Sequence, residues 1–449
     1  MRTRRLLVVM AASVSVVTTM AACSSGGSSS AGGGTTVSAD ALKAGPATGW
    51  PDAGMKVDPA SLKCGLTSSQ PTRGITDTSI TVGGLGYLTS PTGSTIAGTE
   101  QGAKARLERA NAEGGVNGRK INYIGTLDTG DDAARTAAQA KVLAQQKKVF
   151  AVVPLLTRDA SYLDTFCNDK VPFFGWGTTA GYCNNTLGFG ITGCLVGGGS
   201  GYTSSTYGLL IQAMFGGSAK GKSAALVGVD NDSARTGLQE LASQVRAVGI
   251  RTVYTKNPFP ATGVTDTTAV VNDLMTADKG HAPDVILHLL DFNSVVKLTS
   301  ALNSAGYQGK QLNPVGYDPR LAGFKDLQKS YTVVQWEPGS DTSVPAVKQL
   351  ADDFHKYAPD TSISLPAMSG YWAADMFITA LKKVGRDLTV DKFLKVLNTN
   401  YSYSVPGALP ETRWPINHNI SAPCGSVVQL NGKVFDIIAK LFCGGLLKK

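Results

Sequence analysis

Three short stretches combine glycine, hydroxyl side chains or arginine directly after apolar runs: Gly93-Ser94-Thr95, Thr157-Arg158 and Gly177-Thr178-Thr179. Loops of this kind leading into helices offer unpaired backbone N–H groups and the positive end of a helix dipole. Their chemistry is the holding of an anion such as a carboxylate. Further along, Asp230 and the pair Asp291-Phe292 close two more apolar runs and are expected to line the same cleft from the opposite side.

Covalent chemistry finds less support. The four histidines, His281, His288, His355 and His418, stand far apart and in no ligand spacing. Gly83-Gly84-Leu85-Gly86 follows a strand-like run, but Thr89 occupies the place of the third glycine of a dinucleotide fingerprint. Gly197-Gly198-Gly199-Ser200-Gly201-Tyr202 misses the nucleophile-elbow spacing, because Tyr202 stands where its last glycine belongs. Asp128, Asp131 and Asp132 sit between a strand and a helix, where carboxylates favour the N-terminal dipole, so they read as helix-capping groups rather than a metal site. Neither a metal nor any other cofactor is expected, and the chain reads as a binder rather than an enzyme.

The first residues look like an export signal. Arg2, Arg4 and Arg5 precede an apolar run over 6–17, too short to cross a bilayer and followed by small residues. Met20-Ala21-Ala22-Cys23 resembles a bacterial lipobox, whose cysteine is acylated after cleavage and begins the mature chain. The Ser, Gly, Ala and Thr tract over 24–36 then reads as a flexible tether. Thr3-Arg4-Arg5-Leu6-Leu7 also resembles a twin-arginine signal, which leaves the export route open. Losing those three arginines takes the formal charge from +9 to +6, spread without a basic stripe, and excludes a nucleic-acid footprint. Six cysteines remain after Cys23, an even number that in an exported chain implies up to three disulfides. Cys424 with Cys443 across a terminal hairpin and Cys183 with Cys194 around a loop are the expected pairs, leaving Cys64 and Cys167.

The elements that must position these loops alternate. Apolar runs at 80–85, 121–124, 149–153 and 171–175 read as strands, with helices at 96–110, 133–146 and 157–167 between them. A Gly-, Asn- and Cys-rich connection over 181–201 leads to a second series. Its strands are expected at 224–229, 252–254, 285–290 and 312–316, and its helices at 207–215, 237–248, 264–277 and 293–305. Residues 331–336 carry the chain back, helices follow at 345–357, 367–384 and 390–397, and a hairpin turns at Asn431-Gly432. Strand–helix alternation implies parallel sheets that bind ligands beyond the strands' carboxyl ends. The fold class is therefore α/β, with two doubly wound parallel-sheet lobes joined by a multi-strand hinge and a cleft between them. The expected division is a signal peptide at 1–22, a lipidated tether and leader at 23–74, one lobe from 75–200 with 341–415, and the other from 201–340 with 416–449.

The run Ile80-Thr81-Val82-Gly83, then Pro91-Thr92-Gly93, then Glu113-Gly114-Gly115-Val116-Asn117-Gly118-Arg119-Lys120 and Asp128 resembles the leucine/isoleucine/valine-binding family of ABC-transporter substrate-binding proteins. The resemblance covers most of the chain after the tether and implies a type 1 periplasmic-binding fold. It also implies a small-molecule solute held by hinge closure, ABC permease subunits as partners, and a lipid-anchored position on the outer face of the cell membrane. The solute implied is a small polar one, an amino acid or related compound. An alternative is a sensor feeding a signalling partner; a remoter one is a secreted enzyme. In the family, the loops at Arg158 and Gly177 to Thr179 grip an amino acid's carboxylate, and Asp318 stands where an acid pairs with its ammonium. Three departures matter: Arg158 replaces a small hydroxyl residue, Ala234 replaces an aromatic, and the loop cysteine pair of the family's first lobe is absent. The arginine suits an additional carboxylate or another anion.

Overall fold

The computed structural model describes residues 49–91, 96–197, 199–313 and 316–449. Cys23, Gly93, Ser94 and Thr95, together with the signal and tether, lie outside the described residues. Strands β1 (Ser79–Gly86), β2 (Lys120–Asp128), β3 (Ala151–Leu156), β4 (Phe173–Gly175) and β5 (Gly188–Gly190) form a parallel sheet in the order β2-β1-β3-β4-β5. Helices α1 (Thr99–Ala112), α2 (Ala133–Lys141) and α3 (Leu163–Asp169) supply its first crossovers. β1 and β3 are buried almost throughout, as a parallel sheet covered on both faces requires.

The chain then enters a second sheet. The elements that follow are β6 (Tyr202–Ser204), outside that sheet, then α4 (Thr206–Met214), β7 (Ser223–Asp230), α5 (Asp232–Ala247), β8 (Arg251–Pro260) and α6 (Thr268–Met275). They continue through β9 (Val285–Leu289), α7 (Phe292–Ser304), β10 (Lys310–Asn313) and β11 (Tyr331–Val334). Helices α8 (Pro345–Tyr357), α9 (Leu365–Val384) and α10 (Val390–Leu397) and the hairpin β12 (Tyr401–Val405) with β13 (Leu409–Trp414) return to the first core. Finally β14 (Cys424–Asn431) and β15 (Val434–Cys443) join the second sheet antiparallel, giving the order β15-β14-β11-β10-β9-β7-β8. β16 (Leu446–Lys448) pairs with β6. One face of the second sheet packs on α4 and α5, the other on α6 and α7. Among the described residues no helix is long and apolar enough to cross a membrane.

Several elements differ from the sequence expectation. The helix expected over 157–167 begins only at Leu163, because Thr157 to Tyr162 form the loop that ends β3. The strand expected at 312–316 is β10, which begins at Lys310; Pro314 and Val315 lie outside the described residues. β5 lies inside the connection expected to be irregular. Gly188-Phe189-Gly190, two of its three residues glycine, has little β propensity of its own and is a strand because it pairs with β4. A Cβ on Gly188 would sit 2.7 Å from the Phe173 ring, so glycine is what lets the pair close.

Residues 49–74 carry no regular element longer than a 3-10 turn, yet they are packed onto the body. Trp50 is buried among Ile420, Cys424, Leu441 and Leu446, donates its indole N–H to the Glu411 carbonyl at 2.8 Å, and lies beneath Arg413. Arg73 is buried and donates to the Val149 and Lys170 carbonyls at 2.8 and 2.9 Å. The disulfides are Cys64–Cys167, which ties this segment to α3, Cys183–Cys194, and Cys424–Cys443 across β14 and β15.

Candidate functional site

The carboxyl ends of β1, β3 and β4 from one sheet and of β7 and β9 from the other enclose a cavity of about 520 Å³. Thr157 and Arg158 reach it from the end of β3, Thr178 and Thr179 from the loop after β4, and Asp291 and Phe292 from the end of β9. Asp318 reaches it from the loop after β10. The strand-end loops therefore converge from both sheets, as open parallel sheets place them.

Two expected residues do not line the cavity. Gly177 is buried behind the wall with φ +99°, and a Cβ there would meet the Gly193 carbonyl oxygen at 2.1 Å. It permits a tight turn against a neighbouring loop instead of facing a ligand. Asp230 points away, its side chain 57% exposed and paired with Arg235. Side chains alternate along β7, so Val229 faces the cavity and Asp230 does not; Asn231 takes the wall position and caps α5 by accepting from the Ala234 N–H at 2.8 Å.

Sequence reasoning missed the floor. Trp176 donates its indole N–H to Gln335 Oε1 at 3.2 Å, and Gln335 Nε2 donates to the Tyr207 hydroxyl at 3.4 Å. This chain of contacts crosses from β4 through the segment after β11 to α4, and Trp176 also packs on Trp336 with ring centroids 5.3 Å apart. Burial pushes the Tyr207 phenol up to about 12, with the Gln335 contact partly offsetting it, so it stays a neutral hydrogen-bonding group. The available signal was Gln335 itself, one amide in an otherwise apolar and aromatic run. Tyr87, just past β1, was missed as well, as was Arg320.

Charged groups on the wall have partners within the protein. Arg158 Nε lies 2.9 Å from Asp131 Oδ2, and its guanidinium stacks 4.6 Å from the Tyr87 ring centroid. Asp318 accepts from the Arg320 backbone N–H at 2.9 Å and pairs with its guanidinium, so it both caps the following 3-10 turn and neutralises Arg320. Glu240 pairs with Lys449 at 2.9 Å. Asp291 caps α7, accepting from the Ser294 N–H at 3.2 Å and its hydroxyl at 2.6 Å. Thr157 spends its hydroxyl proton on the Asp159 carbonyl at 2.8 Å, and Thr179 contacts the Tyr162 hydroxyl at 3.2 Å. Uncharged polar side chains, Thr206, Asn231, Ser233, Gln244, Asn293 and Ser421, also line it, and the larger share of the wall is apolar or aromatic, with Ile96, Leu156, Leu289, Leu290, Phe292 and Phe324 among its residues. Ala234, where the family resemblance has an aromatic, leaves additional room.

Such a cavity suits an organic solute with a sizeable apolar part and few polar groups. Among the described residues none of the histidines lines it, the lining Cys424 is in a disulfide, and no cluster of metal-ligating side chains occurs. Of the three aspartates at and beyond the end of β2, Asp132 caps α2 by accepting from the Arg135 N–H at 2.7 Å, whereas Asp128 binds Thr89 and Arg135, and Asp131 binds Arg158.

No curated protein sequence matches the chain. Solved structures do share its fold. A possible leucine/isoleucine/valine-binding protein from Rhodopirellula baltica SH 1 is 13% identical, with a TM-score of 0.66 over 83% of this chain and 98% of that one. A fatty acid ABC transporter substrate-binding protein from Thermomonospora curvata is 17% identical, with a TM-score of 0.63 over 83% and 94%. A solute-binding protein of an ABC transporter from Rhodopseudomonas palustris BisB5, in complex with 3,4-dihydroxybenzoic acid, is 16% identical, with a TM-score of 0.63 over 82% and 98%. The sequence model of the periplasmic binding proteins matches residues 79–433, which include both sheets except β15 and all the residues that line the cavity, and the chain belongs to that family.

Proposed function

We propose that this protein is the extracytoplasmic, solute-binding component of an ABC importer, anchored through an acylated Cys23, and that it closes about its hinge on a small organic acid. The solute class includes amino acids with apolar side chains and related compounds, and extends to aromatic and longer-chain acids. The observation that carries this reading is the cavity itself, mostly apolar and aromatic in its walls, with helix-leading loops and an arginine on one side. The chemistry named for the fold relatives, a fatty acid in one and 3,4-dihydroxybenzoic acid in another, supports it. The lobes in this reading are 75–200 with 341–415 and 201–340 with 416–449. Thr157, Arg158, Thr178, Thr179, Asp291, Phe292 and Asp318 are the contacts proposed for the solute, with Gly93, Ser94 and Thr95 completing the first-lobe side. No covalent step is involved. Because Asp318 already holds Arg320, an ammonium arriving there would have to compete with that arginine; the site favours the acid end of a ligand over its amine end.

A thermal-shift screen tests the class. A solute at 100 times its dissociation constant adds about 2.7 kcal/mol to the folded state, enough for a clear rise in Tm. Apolar amino acids, aromatic carboxylates and medium-chain fatty acids are the expected hits. A panel in which only sugars, polyols or metal ions raised Tm would refute it. Labelling cells with radioactive palmitate checks the anchor: Cys23→Ala is expected to abolish incorporation.

A further inference from the structure

Asp131 occupies a costly position. Its backbone is left-handed, with φ +57°, a conformation that L residues rarely adopt, and it is not the cap of α2, a role taken by Asp132. Its carboxylate is nearly covered, the side chain 12% exposed, and meets Arg158 Nε at 2.9 Å while accepting from the Ser90 hydroxyl at 2.8 Å. Burial pushes this carboxyl up and the Arg158 charge pulls it down. Arg158 in turn lies over Tyr87, so its guanidinium is fixed from one edge by a carboxylate and from one face by a ring. Arg320 across the cavity is paired with Asp318, and its side chain is 60% exposed against 28% for Arg158.

We propose that Asp131 is a positioning residue, which with Tyr87 presents Arg158 as a preformed clamp for the carboxylate of the solute, and that this clamp makes the site prefer organic anions to neutral molecules of the same shape. The inference rests on the organic-acid reading above. A guanidinium already ordered, its Nε 2.9 Å from Asp131 Oδ2, loses little freedom when it takes a second carboxylate, and its planar shape matches a carboxylate's. The negative charge of Asp131 weakens attraction for an incoming anion. That cost is accepted for geometry, since a free arginine stem would have to be ordered at the moment of binding.

The left-handed backbone offers an unusual test. Glycine sits at φ +57° without strain, so Asp131→Gly deletes the carboxylate while easing the main chain. Isothermal titration of benzoate against benzamide, and of octanoate against octanamide, separates charge from shape. The wild-type protein is expected to bind the acid of at least one pair about tenfold or more tightly than its amide. Asp131→Gly is expected to weaken that acid about fivefold or more, leave the amide within about twofold, and keep Tm at or above wild type. Arg158→Gln should bring acid and amide to parity, and Arg158→Lys should fall between, having the charge without the fork. Equal weakening of acid and amide in Asp131→Gly would make Asp131 a structural residue, and an unchanged acid affinity would remove it from the site; either result overturns this inference alone. Failure of the wild-type protein to bind any of the four compounds overturns the organic-acid reading and this inference with it.

Discussion

Replacing Gly370 with alanine is expected to destabilise the protein by about 2 kcal/mol or more, although alanine is the better helix former. The residue lies inside α9, past its first turn, where exchange of glycine for alanine ordinarily gains up to about 1 kcal/mol. Here α9 crosses α1 at contact distance. A Cβ on Gly370 would sit 1.9 Å from the Thr99 carbonyl oxygen, and one on Gly102 would sit 1.9 Å from the Ala367 carbonyl oxygen. Both obstacles are backbone atoms, so no side-chain rotation relieves them and the helices must separate. Forced separation of a packed interface costs about 1–3 kcal/mol and occasionally more, which outweighs the propensity gain. The consequence reaches the site, because Leu365 and Pro366 at the start of α9 form part of the cavity wall. Urea unfolding followed by circular dichroism reads the effect as a lower midpoint at unchanged slope. Gly102→Ala should behave in the same way. A midpoint raised in either variant would mean that the crossing yields more easily than the distances imply.

That crossing also marks where sequence reading stops. Helix α9 was legible from its apolar periodicity, but the role of Gly370 was not, since a glycine in a helix reads only as a weak point until its neighbour is known. The strand-end loops were legible for the complementary reason: alternation of strands and helices fixes which ends of a parallel sheet face the ligand. Thr157, Arg158, Thr178, Thr179, Asp291, Phe292 and Asp318 therefore all fall on the cavity. The error at Asp230 is a single-residue one, since pleating exchanges inward and outward faces at every step. Gln335 stood out as an amide in an apolar run, but its joining of Trp176 to Tyr207 was beyond reach, because the cavity floor is assembled from a strand end, a returning segment and a helix that come together only in three dimensions. Asp131 was read as one of three equivalent capping carboxylates. Its left-handed backbone and its partner Arg158 distinguish it, and neither is encoded in local composition.

Acid is expected to destabilise this protein well above the usual carboxylate range, through two histidines. His288 in β9 and His418 beside Phe189 and Trp414 are both buried, and burial lowers their pKa values to about 4 and about 3. Weak offsets come from Gln311 at His288 and from the Gly188 backbone at His418. His418 Nε2 lies 2.8 Å from Asn398 Oδ1; the Asn398 amide nitrogen donates to the Thr186 and Leu394 carbonyls, so Oδ1 accepts and Nε2 carries the proton. In the unfolded chain both imidazoles take up a proton below about pH 6.5. Between that pH and the folded values the unfolded state binds more protons, so stability is lost as pH falls, by about 5 kcal/mol for the two together at pH 4.5. Glu337 acts in the opposite sense. Burial, then the neighbouring Asp341, raises its carboxyl to about 7 against hydrogen bonding from the Leu441 N–H and attraction by Lys440. The folded state thus holds a proton there that the unfolded state has released above about pH 4.5. Its contribution is greatest below that pH and is lost as pH rises towards 7. Urea titrations at intervals from pH 4.5 to 7.5 separate the contributions. His288→Leu is expected to lessen the wild-type loss on acidification by about half, His418→Gln to lessen it similarly, and Glu337→Gln to steepen it. Parallel stability–pH curves for wild type and His288→Leu would show that the buried imidazole does not resist protonation, and identical slopes for Glu337→Gln would remove that carboxyl from the balance.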